Sequence, residues 1–276
     1  EGQLVMSRRG FAPVLAVMAV AWALVFGTAC TKSATKSGGA SSSKKITICL
    51  LPKKKGVPYF TSCAQGAQEA ADELGAELIY DGPTDGSPEK AASMIERWAL
   101  QGVAVIAVSP NDPDVLAPAM RKARKMGVHV ITWDADGLPE SRAYMVNQAT
   151  AKDIGEALVD TMAKDLGGDA ASGEVAIVTA TLTAANQNEW MTHMRERLTR
   201  YPGLKLVGVK PSNEDQRQAF QVTKDLINAY PGLRGVWGIS SVSFPAAAEA
   251  VKQSGKSGQI LVTGLSTPND MKPHVH

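Results

Sequence analysis

Residues 103–134 read VAVIAVSPNDPDVLAPAMRKARKMGVHVITWD, and they hold one complete strand–helix–strand unit. Val103 to Val108 is a continuous apolar run of strand length. Pro113 to Met126 is a helix that Gly127 stops, and Val128 to Trp133 is a second apolar run. Strands exposed on one face would alternate apolar and polar side chains. Near-continuous Val/Ile runs separated by a helix instead indicate parallel strands covered on both faces.

The same rhythm extends in both directions. Upstream, Ile46 to Leu51 is a strand, Ser62 to Leu74 a helix stopped by Gly75, Glu77 to Tyr80 a strand and Pro88 to Gln101 a helix. The rhythm pauses from Asp134 to Arg142. It then resumes with a short strand at Tyr144 to Asn147, a helix at Ile154 to Leu166, and strand–helix pairs at 174–179 and 190–201, 205–210 and 218–229, and 235–239 and 245–253. Gln259 to Leu265 adds one more strand. The predicted fold is α/β, with two doubly wound parallel-sheet lobes, 45–137 and 138–276, joined by a hinge near 134–145. In open parallel sheets ligands bind beyond the carboxyl ends of the strands. Two such lobes facing each other make a cleft that closes by hinge motion.

Ahead of the lobes, Arg8-Arg9 precede an apolar run from Phe11 to Phe26, then small residues, then Cys30. This order reads as an export signal over 1–30 with lipidation at Cys30, and it implies a membrane-anchored protein outside the cytoplasm. A membrane-spanning helix is the alternative, but the run is shorter than the roughly 20 apolar residues needed and contains Pro13. Ser7 to Phe11 also resembles a twin-arginine export motif, and Met6 reads as the natural start. Residues 31–44 are mainly Ser, Thr, Gly, Lys and Ala, a composition that buries little apolar surface and reads as a flexible tether.

The 276 residues carry a net charge of +2 with no long basic face, which argues against nucleic acid as a partner. Beyond Cys30 there are two cysteines, Cys49 and Cys63, which read as two packed thiols, with a disulfide as the alternative. The four histidines are scattered without metal-ligand spacing, so neither a metal nor a cofactor is expected.

Polar side chains gather at the predicted strand ends: Lys53, Ser109 to Asn111, and Asp134 with Asp136 in the first lobe. In the second they are Thr181 to Asn188, Ser240-Ser241 and Ser266-Thr267. Tyr59, Phe60, Trp133 and Trp190 stand near them. A sugar needs this mixture, because its hydroxyls suit carboxylates and amides while its apolar ring face suits an aromatic. Capping and turn formation are the competing role, especially for Asn111, Asp112 and Ser266. The chain contains no G-x-S-x-G, no H-E-x-x-H, no Walker loop and no glycine-rich dinucleotide motif after its first strand, so an enzyme is not expected.

Six segments together carry a family resemblance: KKKGVPYFTSCAQGAQEAA (53–71), YDGPTDGSP (80–88), ITWDAD (131–136), VNQAT (146–150), LTAANQNEW (182–190) and GLSTPNDM (264–271). They resemble sugar-type periplasmic binding proteins of ABC importers, the ribose-binding-like family, and within it the rhamnose-binding and autoinducer-2-binding groups. The resemblance spans about residues 45–276. It implies a type I binding-protein fold, a small sugar as ligand, an ABC permease as partner and no catalysis. A sensor ectodomain or chemotaxis relay of the same fold is the alternative.

By the resemblance, Lys53 and Asp134 match ligand-binding positions of the autoinducer-2 group. Asn186-Gln187 stand where that group has Asp-Gln, and Ile239 and Ser241 stand where it has Pro and Ala. Tyr59 and Phe60 hold the place of ring-stacking aromatics in the ribose branch. The missing Asp at 186 removes a charged acceptor and tilts the expectation toward a rhamnose-like sugar. Relatives continue past the P-N-D-M segment, so the resemblance also implies a C-terminally truncated chain, loosened between its lobes.

Overall fold

The structure, a computed structural model, describes residues 45–275; the signal segment, Cys30, the tether and His276 lie outside the described residues. Two parallel sheets organise it. The first has the order β2-β1-β3-β4-β5, built from β1 (Thr47–Leu51), β2 (Glu77–Tyr80), β3 (Val105–Val108), β4 (His129–Trp133) and β5 (Met145–Val146). The second has the order β7-β6-β8-β9, built from β6 (Gly173–Thr179), β7 (Leu204–Pro211), β8 (Leu233–Gly238) and β9 (Leu261–Gly264). Every strand pair in both sheets is parallel. The two parallel-sheet lobes read from the sequence are therefore present.

Apolar burial explains the layering. Cys49, Leu51, Ile106, Val108 and Val130 of the first sheet pack against Ile95 and Trp98 of α2 (Pro88–Gln101) and Leu116, Met120 and Ala123 of α3 (Pro113–Lys125). The opposite face meets α1 (Pro58–Leu74), through Ala64 and Ala67 against Leu50, Ala107 and half-buried Tyr80 and Trp133. In the second sheet, α4 (Ala151–Asp165) and α5 (Ala185–Leu198) cover one face, with Met162, Met194, Ile177 and Trp237 at its centre. Helices α6 (Gln216–Ala229) and α7 (Ser243–Gln253) cover the other face. Short α8 (Pro268–Met271) follows β9.

Local chemistry sets the helix starts. Pro58, Pro88 and Pro113 each open a helix, where the missing N–H leaves no intrahelical bond unmade. Ser87 Oγ accepts from Lys90 N at 3.2 Å, and Asp112 Oδ1 accepts from Asp114 N and Val115 N at 3.1 Å each. Asp112 thus takes the capping role. Asn111 instead donates to the Gly86 carbonyl at 2.6 Å. Gly155 lets α4 lie against α5, because a Cβ there would stand 2.7 Å from the Trp190 carbonyl oxygen.

One sequence expectation shifts. Residues Met145 and Val146 pair with β4, so the first sheet continues beyond the boundary expected at 137/138. Cys49 and Cys63 are both free thiols; Cys49 is fully buried, and burial, with the charge of Glu77 beside it, pushes its pKa up to about 11. Among the described residues no helix is long and apolar enough to cross a membrane, and no His/Cys/Asp/Glu group has metal-binding geometry.

Candidate functional site

Parallel packing puts the carboxyl ends of both sheets at one cavity of about 420 Å³. The first lobe contributes Lys53 from the loop after β1, Tyr59 and Phe60 from the first turn of α1, and Asp134 from the end of β4. The second contributes Ile154, Asn186, Gln187 and Trp190 from α4 and α5. Gln148, Ala149, Glu214, Ile239 to Ser241, Phe244 and Gly264 to Ser266 complete it. Helix α1 begins four residues before the apolar spacing suggests, and α5 begins five before, so both aromatics and both amides sit in helical first turns.

The centre is an ion pair out of contact with solvent. Lys53 Nζ lies 3.1 Å from Asp134 Oδ2, with the two side chains 5% and 8% exposed. Burial at that level makes each charge depend on the other, since an unpaired one would remain desolvated. Ser109 Oγ donates to the same Oδ2 at 2.7 Å, so Oδ1 carries neither bond. Asp134 has φ 63°, a left-handed conformation that a non-glycine residue holds only under constraint from its surroundings.

The two amides differ in what they leave free. Asn186 Oδ1 accepts from Lys53 Nζ at 2.9 Å while its Nδ2 donates to the Asp134 carbonyl at 3.3 Å, joining the lobes directly. Gln187 Oε1 accepts from Thr179 Oγ1 at 2.5 Å and from Ala180 N at 2.8 Å. Those bonds fix which end of the Gln187 amide is oxygen and leave its NH₂ as the donor for a ligand. A third link between the lobes runs from Lys54 Nζ to the Glu214 carbonyl at 2.8 Å.

Aromatic geometry is equally ordered. Tyr59 and Phe60 meet edge-on with centroids 5.2 Å apart, and Phe60 stands perpendicular to Trp133 at 5.7 Å. Burial, then the Asp134 charge, pushes the Tyr59 hydroxyl well above its ordinary value, so it is a neutral donor. Gly264 forms part of the floor, where a Cβ would collide with the Gly238 carbonyl.

Eight of the nine ligand-site residues expected from sequence line this cavity; Asp136 does not. Its carboxylate accepts from Arg142 Nε at 2.7 Å and Thr132 Oγ1 at 2.6 Å. Burial alone would raise its pKa, but these bonds outweigh it and hold the group below the usual carboxylate range. Asp136, three residues past β4, is an ion-pair partner of Arg142 outside this cavity. Ser266 lines the cavity and donates to the Ser241 carbonyl at 3.0 Å, while Thr267 caps α8. Sequence reasoning missed Glu214, Gln148, Ile154, Phe244 and Leu265. For Glu214 a signal existed, since it follows a strand, but the adjacent Asp215 reads as the cap of α6 and masks it.

A two-lobed α/β fold with a polar-centred, aromatic-rimmed cavity at its strand ends is a small-molecule-binding architecture. The periplasmic binding protein domain matches residues 48–275, and the chain belongs to that family. It is similar to the ribose import binding protein of Escherichia coli K12, 24% identical over 242 residues, 87% of this chain and 78% of that one. An ABC transporter solute binding protein from Clostridium phytofermentas, solved with bound L-rhamnose, superposes with a TM-score of 0.80 at 29% identity. That likeness covers 84% of this chain and 72% of the other. LsrB from Clostridium saccharobutylicum, in complex with AI-2, gives a TM-score of 0.79 at 28% identity, covering 83% and 73%.

Proposed function

We propose that this chain is the extracytoplasmic solute-binding protein of an ABC importer and that its ligand is a monosaccharide of the rhamnose type. The observation that carries the reading is the buried Lys53–Asp134–Asn186 array in a cavity of about 420 Å³, walled by Tyr59, Phe60 and Trp190. The volume suits one sugar ring, the array suits vicinal hydroxyls, and the aromatics suit an apolar ring face. Ile154, Ile239, Phe244 and Leu265 add an apolar wall that would accept the methyl group of a deoxysugar.

Autoinducer-2 is the second reading, favoured by the Lys53–Asp134 pair and by the likeness to the AI-2 complex. Against it stand Asn186, Ile239 and Ser241, where the resemblance calls for Asp, Pro and Ala. Calorimetric titration with L-rhamnose, D-ribose and autoinducer-2 decides. Saturable binding of L-rhamnose in preference to the others supports the first reading, autoinducer-2 preference replaces it, and no binding by any of the three removes the sugar reading.

Anchoring through Cys30 belongs to the same proposal and rests on the basic, apolar, small-residue, Cys order alone. Cys30→Ser should move the protein from the membrane fraction to the soluble one. A wild-type protein already found soluble and unacylated rejects the anchor.

A further inference from the structure

Glu214 is an ionisable group of the cleft that neither the strand-end pattern nor the family resemblance assigns. It follows β7 in a turn where both Asn213 and Glu214 have positive φ, 53° and 50°. Two consecutive non-glycine residues in the left-handed region persist only where surrounding bonds hold them. Here Asn213 N donates to the Ala180 carbonyl at 2.7 Å, Asp215 N to the Ser212 carbonyl at 3.0 Å, and Lys54 Nζ to the Glu214 carbonyl at 2.8 Å. The turn brings the Glu214 side chain to the cavity.

The charges around it are few. The loop after β1 presents Lys53 and Lys54, and the end of β4 presents Asp134. Ser240, after β8, places its hydroxyl 3.2 Å from Glu214 Oε2. The recess on the other side of Glu214 is lined by Lys54, Lys55, Asp270 and His274. Lys53 is bound to Asp134 and Asn186, and Lys54 donates to the Glu214 carbonyl rather than to the carboxyl group. Among the described residues no ion pair reaches the Glu214 carboxyl, so an anion there would be a second carboxylate, on a half-buried residue, facing the cavity that holds Asp134.

We propose that Glu214 stands protonated in the closed cleft and donates a hydrogen bond from its carboxyl group to an oxygen of the bound sugar, making it a ligand-selecting residue. The inference rests on the sugar reading above. Burial is the main force raising the Glu214 pKa, and Asp134 adds to it, while Lys53, Ser240 and Lys54 pull the other way without reversing it. A neutral carboxyl group offers a donor and an acceptor together, which suits a hydroxyl or a ring oxygen. It also leaves the Lys53–Asp134 pair as the cavity's balanced charges, a setting for an uncharged ligand.

The sign of the pH effect follows. An acid whose pKa is raised in the bound, closed state favours that state at low pH and loses the advantage as pH rises through the raised value. Calorimetry on the full chain with L-rhamnose and D-ribose, from about pH 5 to about pH 9, should show wild-type affinity falling with pH while Glu214→Gln stays flat. At neutral pH, Glu214→Gln should bind within about threefold of wild type and Glu214→Ala should lose about tenfold or more. Equal losses in the two variants, or one pH profile shared by wild type and Glu214→Gln, would overturn the inference and leave the sugar reading standing. Absence of binding by wild type at every pH removes the sugar reading and this inference with it. If a variant fails to fold, an infrared difference between wild type at neutral and alkaline pH decides without it. A protonated-carboxyl band lost on alkalinisation supports the inference, and carboxylate bands alone reject it.

Discussion

At the residue scale, the cleft turns on a broken alternation at the end of β4. In a regular strand, residues two apart share a face, so Asp134 and Asp136 should point together. The left-handed φ of 63° at Asp134 breaks that parity. One carboxylate meets Lys53 in the cavity and the other meets Arg142 outside it. Both acids were legible in the sequence as strand-end carboxylates, but the backbone reversal that separates their roles was not, because no residue type announces it. Glu214 went unseen for a related reason, since two left-handed non-glycine residues bring it into place. Asp134→Ala removes the acceptor of Lys53 and, on the proposed reading, that of the ligand. The expected loss of sugar affinity is about 1.5–3 kcal/mol, the range for a hydrogen bond to a charged group. Calorimetry at neutral pH measures it, and unchanged affinity would place the ligand elsewhere.

At the element scale, the strands and helices follow the apolar spacing read from the sequence, and the helix starts that depart furthest from it are those of α1 and α5. The spacing placed them at Ser62 and Trp190, whereas α1 begins at Pro58 and α5 at Ala185. The first turns carry Tyr59-Phe60 and Asn186-Gln187, side chains placed toward a cavity rather than a core, so the amphipathic pattern fades there. Position within the second lobe depends on close helix contact. Gly155 lies on α4 where a Cβ would stand 2.7 Å from the Trp190 carbonyl oxygen and 2.8 Å from His193 Cβ. Gly155→Ala should therefore push α5 outward at a cost of about 1–3 kcal/mol, the usual range for overpacking. The displacement passes to Trp190, so sugar affinity should fall with the denaturation midpoint. A variant as stable as wild type would mean that α4 and α5 separate freely at this crossing.

At the scale of the whole molecule, the lobes were legible and their meeting was not. Strand–helix rhythm predicts two parallel sheets, but Lys53 and Asn186 are 133 positions apart, and Lys54 and Glu214 are 160 apart. Sequence spacing carries no information at that range. Lys54 does not line the sugar cavity, yet it ties the two lobes together at its rim. Lys54→Ala should loosen closure without removing a ligand contact. Stopped-flow mixing with the bound sugar should show faster association and faster release than in wild type. Unaltered rates would mean that the Lys54 bond adds nothing to closure.

The bridges from Lys53, Lys54 and Asn186 join the lobes side chain to side chain and side chain to backbone, and this gives closure a driving force of its own. A sugar enters only while the lobes stand apart, so any fraction of the protein that closes before the sugar arrives weakens apparent affinity by that fraction. The bridge from Lys54 lies outside the cavity lining, so a captured molecule need not displace it. Tightness of capture and speed of capture are thus set by different side chains, the cavity's for the first and the rim's for the second.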